Sequence, residues 1–289
     1  LKVSPPSVEM LKPDLFPEIS KLPSASSPIA KMLLPLESPF RLSLTQAIDS
    51  AVLTQAIPAA YRDPENHWFG LSLRARPIMY AKDRVDPADL SNYASLTDPQ
   101  WQGKVCIRSS SNIYNQSLLA SMIASEGSEY AKTWAAGLVK NFARKPVGGD
   151  RDQIKAVAAG QCDVAIANTY YLFGMLQSQD PATVAAAEQV AVFWPNQADR
   201  GTHVNVSGIA VTQAAKNKDN AQKLLEFLVQ DSTQSWYANA NGEYPVTTQT
   251  TAHPLLASWG DFNKDALNMS KLGELNGEAV KIMDSVGWP

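Results

Sequence analysis

Residues 162–174 read Cys-Asp-Val-Ala-Ile-Ala-Asn-Thr-Tyr-Tyr-Leu-Phe-Gly, and the reading of this stretch decides the fold. The apolar run from Val164 to Ala167 is strand-like, and Asn168 and Thr169 end it. On a strand, neighbouring side chains point to opposite faces. At a helical start they diverge by about 100°. Tyr170 and Tyr171 therefore share one target only if the chain turns after the strand and enters a helix. The competing reading puts one tyrosine in the core and the other at its rim.

Outward from this stretch, strand-like and helix-like segments alternate. "GGDRDQIKAVAAGQ" (148–161) reads as a capped short helix ending at Gly160. "VAVFWP" (190–195) and "VNVSGIAVT" (204–212) read as strands. "WQGKVCIRS" (101–109) is a turn and a strand, and it runs into a helix from 110 to 127. Ser111 or Asn112 caps that helix, and Leu118, Leu119, Met122 and Ile123 form its buried face. "SEYAKTWAAGLVKNF" (128–142), "KDNAQKLLEFLVQ" (218–230) and "LNGEAVKIMDSVG" (275–287) read as further helices, as does "LTQAIDSAVL" (44–53). "HWFGLSLRARPIMYAKD" (67–83) reads as one long strand, with Ser72, Arg74 and Arg76 alternating against apolar residues. This alternation predicts an α/β protein with largely parallel sheets. The stretches 68–80 and 203–212 are the expected passages between two lobes.

Residues 1–40 differ in texture. They hold eight of the 19 prolines and no Gly, Trp or Tyr. Each proline fixes φ and removes a backbone donor, so irregular chain is expected there. The chain opens on Leu1 without an initiator Met, which reads as a processed or trimmed product. A length of 289 residues suffices for two domains, and the net charge of −3 is spread without a basic stripe for nucleic acid. No apolar run approaches the roughly 20 residues of a membrane span. Cys106 and Cys162 are read equally well as two buried free thiols or as one disulfide joining the starts of neighbouring strands. No zinc-type cysteine and histidine cluster occurs.

The chemistry-bearing residues gather at strand ends. Ser109, Ser110, Ser111 and Asn112 bring hydroxyls, an amide and backbone N–H groups to a helix N-terminus, which suits either an anion or ordinary capping. Tyr114 lies in the first turn of the same helix. Tyr114, Tyr170 and Tyr171 become chemically significant together if a trivalent cation deprotonates them, because hard phenolate oxygen matches Fe(III) better than Zn(II) or Cu(I). Three phenolates neutralise Fe(III) without filling six positions, and Arg74 is the natural clamp for a carbonate-like anion. The plainer reading of Arg74 and Arg76 is a surface or inter-lobe ion pair. His67, His203 and His253 stand apart in the sequence, His203 near the expected crossing.

From about residue 41 onward, "WFGLSLRARPIMY", "WQGKVCIRSSSNIYNQSL", "NFARKPVGGDRDQIKAVAAGQCDVAIANTYY", "PNQADRGTHVNVSG" and "NGEYPV" together resemble the periplasmic ferric-iron-binding proteins of bacterial iron ABC importers. The resemblance implies the two-lobed α/β type II periplasmic-binding-protein fold, with 41–75 plus 204–255 as one lobe and 76–203 plus 256–289 as the other. It implies Fe(III) held by Tyr114, Tyr170 and Tyr171. A synergistic anion, carbonate or similar, would sit near Arg74, Ser110, Ser111 and Asn112. It also implies a Cys106–Cys162 disulfide, a periplasmic location, a monomeric working form and an inner-membrane iron permease as partner. Residues 1–40 match none of the family's opening pattern, so no ligand from that region is carried over. The abrupt change near Arg41 reads as a replaced segment or an out-of-frame translation, which peptide mass mapping of natural protein tests.

Three function classes follow. A ferric-iron-binding module accounts for the phenols. A sibling binding protein for phosphate, thiamine or a sugar would use the serines and Arg74 directly. An enzyme on a related scaffold lacks any nucleophile–base or acid–base carboxylate pair in the sequence.

Overall fold

The structure is a computed structural model that describes residues 44–289; the proline-rich expectation for 1–40 lies outside the described residues. Two main sheets organise the chain. The first contains β2 (Phe69–Ala75), flanked by β7 (Val204–Ile209) and β9 (Tyr244–Pro245). The second runs in the order β4 (Val105–Cys106), β5 (Val164–Ile166), β3 (Ile78–Ala81) and β6 (Val190–Phe193). A small pair joins β1 (Thr45–Gln46) to β8 (Val211–Thr212).

The expected single strand over 67–83 is two strands, and they belong to different sheets. The break falls at Arg76–Pro77. Pro77 has no N–H to donate to a ladder, and it holds the preceding residue extended. The Arg76 N–H donates to the His203 carbonyl at 3.0 Å, so the two crossing segments are paired where they pass between the sheets. Tyr93 Oη donates to the Arg76 carbonyl at 2.8 Å and accepts from the His203 N–H at 3.2 Å, which ties both crossings to one phenol.

The expectation of largely parallel sheets is corrected. Among the described strand pairs, β4–β5 is parallel and the β2–β7, β2–β9, β3–β5, β3–β6 and β1–β8 pairs are antiparallel. The connectivity dictates this at the crossings. The β2–β3 passage runs from the first sheet to the second, and β6–β7 returns, so paired crossings must run in opposite directions.

The described helices include those expected over 110–127, 128–142, 148–161, 218–230 and 275–287, and four more that the sequence does not suggest. The described helices are α1 (Ala51–Ala56), α2 (Ile113–Glu126), α3 (Ser128–Lys140), α4 (Asp150–Ala158), α5 (Thr169–Leu176), α6 (Pro181–Glu188), α7 (Lys218–Leu228), α8 (Asp231–Asn241), α9 (Pro254–Ala257), α10 (Ser270–Glu274) and α11 (Asn276–Ser285). The expected helix over 44–53 is instead a strand at Thr45–Gln46 followed by α1. The Ser50 hydroxyl accepts from the Leu53 N–H, and its cap sets the later start. In the second sheet β5 is buried on both faces, in keeping with its unbroken Val-Ala-Ile run. Met79, Ile154, Val157, Ala165, Leu172 and Met175 close one core against it. Cys106 and Cys162 join as a disulfide beside the parallel β4–β5 pair, with their Cα atoms 5.9 Å apart. Among the described residues, no helix is long and apolar enough to cross a membrane.

Candidate metal centre

The strand β5 ends at Ile166, and α5 begins at Thr169 with Asn168 as its N-cap residue in extended backbone. Tyr170 and Tyr171 thus occupy the first helical turn. Their ring centroids lie 4.2 Å apart, inclined at 33°, so the two phenols remain side by side rather than on opposite faces.

Tyr114 arrives from a different element, the first turn of α2, whose N-cap is Asn112. Its Oη lies 3.2 Å from Tyr170 Oη. Arg74, from β2 in the other sheet, donates from Nη1 to Tyr114 Oη at 3.2 Å. The guanidinium carbon also stands 5.8 Å from the Tyr114 ring centre and 5.6 Å from that of Tyr170. Sequence positions 74, 114 and 170, drawn from β2, α2 and α5, therefore meet at one point, with Tyr171 beside them.

Behind Arg74 sits a polar cluster that the sequence did not single out. Arg74 Nη2 donates to Ser207 Oγ and lies 3.5 Å from Glu243 Oε2. The same carboxylate oxygen accepts from Ser207 Oγ at 3.2 Å and from Ser72 Oγ. Arg74 Nε is buried and has no hydrogen-bond partner. Burial alone would lower the Arg74 pKa; Glu243 and the two phenols outweigh it and hold the guanidinium firmly charged.

The turn before the tyrosines has its own buried support. Asp150, the first residue of α4, accepts from the Asn168 N–H at 2.7 Å and from Arg76 Nη1 at 3.1 Å. Both charged side chains of that pair are fully buried. Arg76 Nη1 also donates to Asn168 Oδ1 at 2.9 Å, and Nη2 donates to Asn115 Oδ1 on α2. The Arg76 ion pair is thus buried rather than on the surface, and it braces the starts of α2 and α5, the two helices that carry the phenols. On the far side of α5, the Phe173 ring lies against Gly242, where φ is +64° and any Cβ would meet the ring. His253 meets the same ring edge-on at 4.9 Å.

The serine-rich helix start is engaged locally. The Ser110 N–H donates to the Pro289 carbonyl at 2.8 Å, and Ser109 and Ser111 hydroxyls pair at 2.7 Å. Asn112 Oδ1 caps α2 by accepting from the Asn115 N–H. No described hydrogen bond joins Ser110, Ser111 or Asn112 to the tyrosine cluster. His203 is buried against Ser117 and Asn205, and burial, followed by Arg200 and Arg76, pushes its pKa well down.

Burial pushes the Tyr170 phenol far above its ordinary range, the neighbouring Tyr114 and Tyr171 push it further, and Arg74 opposes them. Tyr171 is raised by burial, and a hydrogen bond with Tyr170 opposes the shift. Without a cation these two phenols are neutral at physiological pH. Among the described residues, no group of three or more His, Cys, Asp or Glu side chains is placed to hold a metal ion. The oxygens that meet at this point are phenolic, a donor type that matches hard, highly charged cations.

Residues 41–263 match the family described as bacterial extracellular solute-binding protein. Iron uptake protein A1 of Synechocystis is 48% identical over 243 residues, covering 84% of this chain and 68% of the relative. The structure of Trichodesmium IdiA (FutA) in complex with iron and citrate superposes with a TM-score of 0.84 at 49% identity, over 85% of this chain and 78% of that one. A ferric binding protein from Campylobacter jejuni gives a TM-score of 0.80 at 38% identity, over 85% and 78%. The fold is the two-lobed type II periplasmic-binding-protein fold, and the chain belongs to the bacterial extracellular solute-binding proteins, in the group that includes the periplasmic ferric-iron-binding proteins of iron uptake.

Proposed function

We propose that this chain captures ferric iron between its lobes and hands it to an inner-membrane ABC permease. The observation that carries the reading is the meeting of Tyr114 Oη, Tyr170 Oη and Arg74 Nη1 within 3.2 Å contacts, from α2, α5 and β2. Tyr114, Tyr170 and Tyr171 act as phenolate ligands. Their three negative charges match Fe(III), and the cation supplies the stabilisation that lets buried phenols ionise. The orphaned Arg74 Nε supports a synergistic anion there, since a planar carbonate or carboxylate accepts two parallel N–H bonds from a guanidinium. The anion role proposed for Ser110, Ser111 and Asn112 rests on their place at the start of α2, two to four residues before Tyr114.

The lobes are taken as 41–75 with 204–255, and 76–203 with 256–289. The paired crossings at Arg76 and His203 form the hinge, and cleft closure buries the ion while opening releases it. The relatives' names, iron uptake protein A1 and ferric binding protein, point to the same cargo. The task is binding and delivery, without turnover.

The test is a visible-light titration of metal-free protein with ferric citrate. A phenolate-to-iron charge-transfer band saturating near one iron per chain, and lost or shifted in Tyr170→Phe and Tyr171→Phe, is the expected result. A colourless protein without saturable iron overturns the reading in favour of another solute.

A further inference from the structure

Arg74 presents its donors unequally. Nη1 serves Tyr114, Nη2 serves Ser207 and faces Glu243 at 3.5 Å, and Nε has no partner. The side edge of a guanidinium, formed by Nε and Nη2, is the fork that a planar anion grips with two parallel bonds. Ser207 Oγ accepts from one tine of that fork, the Glu243 carboxylate faces the same tine at 3.5 Å, and the other tine is empty. An incoming anion must therefore displace Ser207 Oγ from Nη2 and overcome the Glu243 charge beside it. The carboxylate is equipped for the loss, because Ser72 and Ser207 hydroxyls keep donating to the same oxygen. Tyr237 on α8 approaches the cluster as well: burial and the Glu243 charge raise its phenol, against hydrogen bonds with Ser72 and Ser207. The buried Glu243 pocket is thus a pre-formed resting place for its carboxylate with or without Arg74.

We propose that Glu243 is a positioning residue for the cleft: its carboxylate, through its charge and through Ser207, keeps Arg74 Nη2 engaged until the synergistic anion takes that donor, and so sets how readily the anion joins the metal. The inference rests on the ferric reading above. Glu243 touches neither the cation nor the phenols; it acts through Arg74. Its carboxylate is an internal competitor, so the anion requirement is tuned by the protein itself.

The experiment titrates bicarbonate into ferric-loaded wild-type protein and Glu243→Gln, and follows the position of the charge-transfer band. The glutamine keeps the shape and removes the competing charge. The half-saturating bicarbonate concentration is expected to fall by about tenfold in the variant, as for the loss of one partly buried opposing charge. Thermal melting of both proteins accompanies the titration, since a merely structural role moves the melt and leaves the anion dependence alone. Ser207→Ala, which removes one hydroxyl shared by Arg74 and Glu243, is the second variant, with a smaller shift in the same direction if Glu243→Gln does not fold. Equal half-saturation in wild type and the folded variants overturns the role of Glu243 while the ferric reading stands. The absence of any band in the wild type overturns both.

Discussion

Replacing Asp150 with asparagine tests whether the tyrosine pair is held by the buried brace beneath it. Asp150 and Arg76 are both fully buried and 3.1 Å apart, and the same carboxylate accepts the Asn168 N–H at 2.7 Å. It also opens α4, where a negative charge meets the positive end of the helix dipole. Arg108 approaches its second oxygen at 3.5 Å. Asparagine keeps one acceptor and turns the other into a donor, which then faces a guanidinium or an N–H. Arg76 is left charged in the core. Breaking a buried pair from one side costs about 3–5 kcal/mol. For a chain of this size each kcal/mol moves the melting temperature by about 2–4 °C, so Asp150→Asn should melt about 6–20 °C below wild type.

The same change should loosen the start of α5, because the acceptor shared by Arg76 and the Asn168 N–H loses its charge just before Tyr170 and Tyr171. Iron affinity should therefore fall by about tenfold or more, since ligands displaced by even an ångström lose much of their grip. Circular dichroism melts and ferric titrations of the same samples measure both. A melt within about 2 °C of wild type, with unchanged affinity, would refute the argument: the brace would then be dispensable, and local helix capping alone would position the phenols.

Iron binding should weaken as pH falls. Tyr170 and Tyr171 have pKa values raised by burial in the metal-free cleft, so each carries a proton there that iron must displace. These two protons alone make the apparent affinity drop about a hundredfold per pH unit, checked by competition with citrate between pH 8 and about pH 6. Removing the disulfide by Cys106→Ser with Cys162→Ser frees a loop with a sequence separation of 56. The cost should be about 4 kcal/mol of folding stability, read from guanidinium midpoints, with the colour of the ferric complex retained. His203 is held neutral by burial, so the unfolded state binds the extra proton as pH drops below its ordinary value near 6.5. Stability should decline there by about 1.4 kcal/mol per pH unit from this group, and urea midpoints of His203→Gln should show a shallower decline.

The strand-then-helix reading of 162–174 was available from the residues because its signals are local. An apolar run of four ends at Asn-Thr, and the period changes at that point. The two rings sit side by side as a helical start requires. The same locality explains the buried face of α2, where Leu118, Leu119, Met122 and Ile123 are all buried. The errors fall where the outcome depends on distant partners. The break at Arg76–Pro77 was hidden because alternation continues across it, while the strands on either side answer to different sheets. Strand direction followed from the return crossing at His203, some 127 residues away by number, which no local pattern encodes. Charged residues show the same division. Arg74 announced itself by sitting opposite the apolar face of a strand. Asp150 looked like an ordinary helix cap in "GGDRDQ", and Glu243 like one acid in a loop. Each acquires its role from an arginine far off in sequence, and each makes that arginine useful: Asp150 by fixing the helices that carry the phenols, Glu243 by pairing with the guanidinium whose other nitrogen faces them. The phenols supply chemistry that can be read from residue type alone. Their alignment is the work of buried charges that become legible only once the two sheets are brought together.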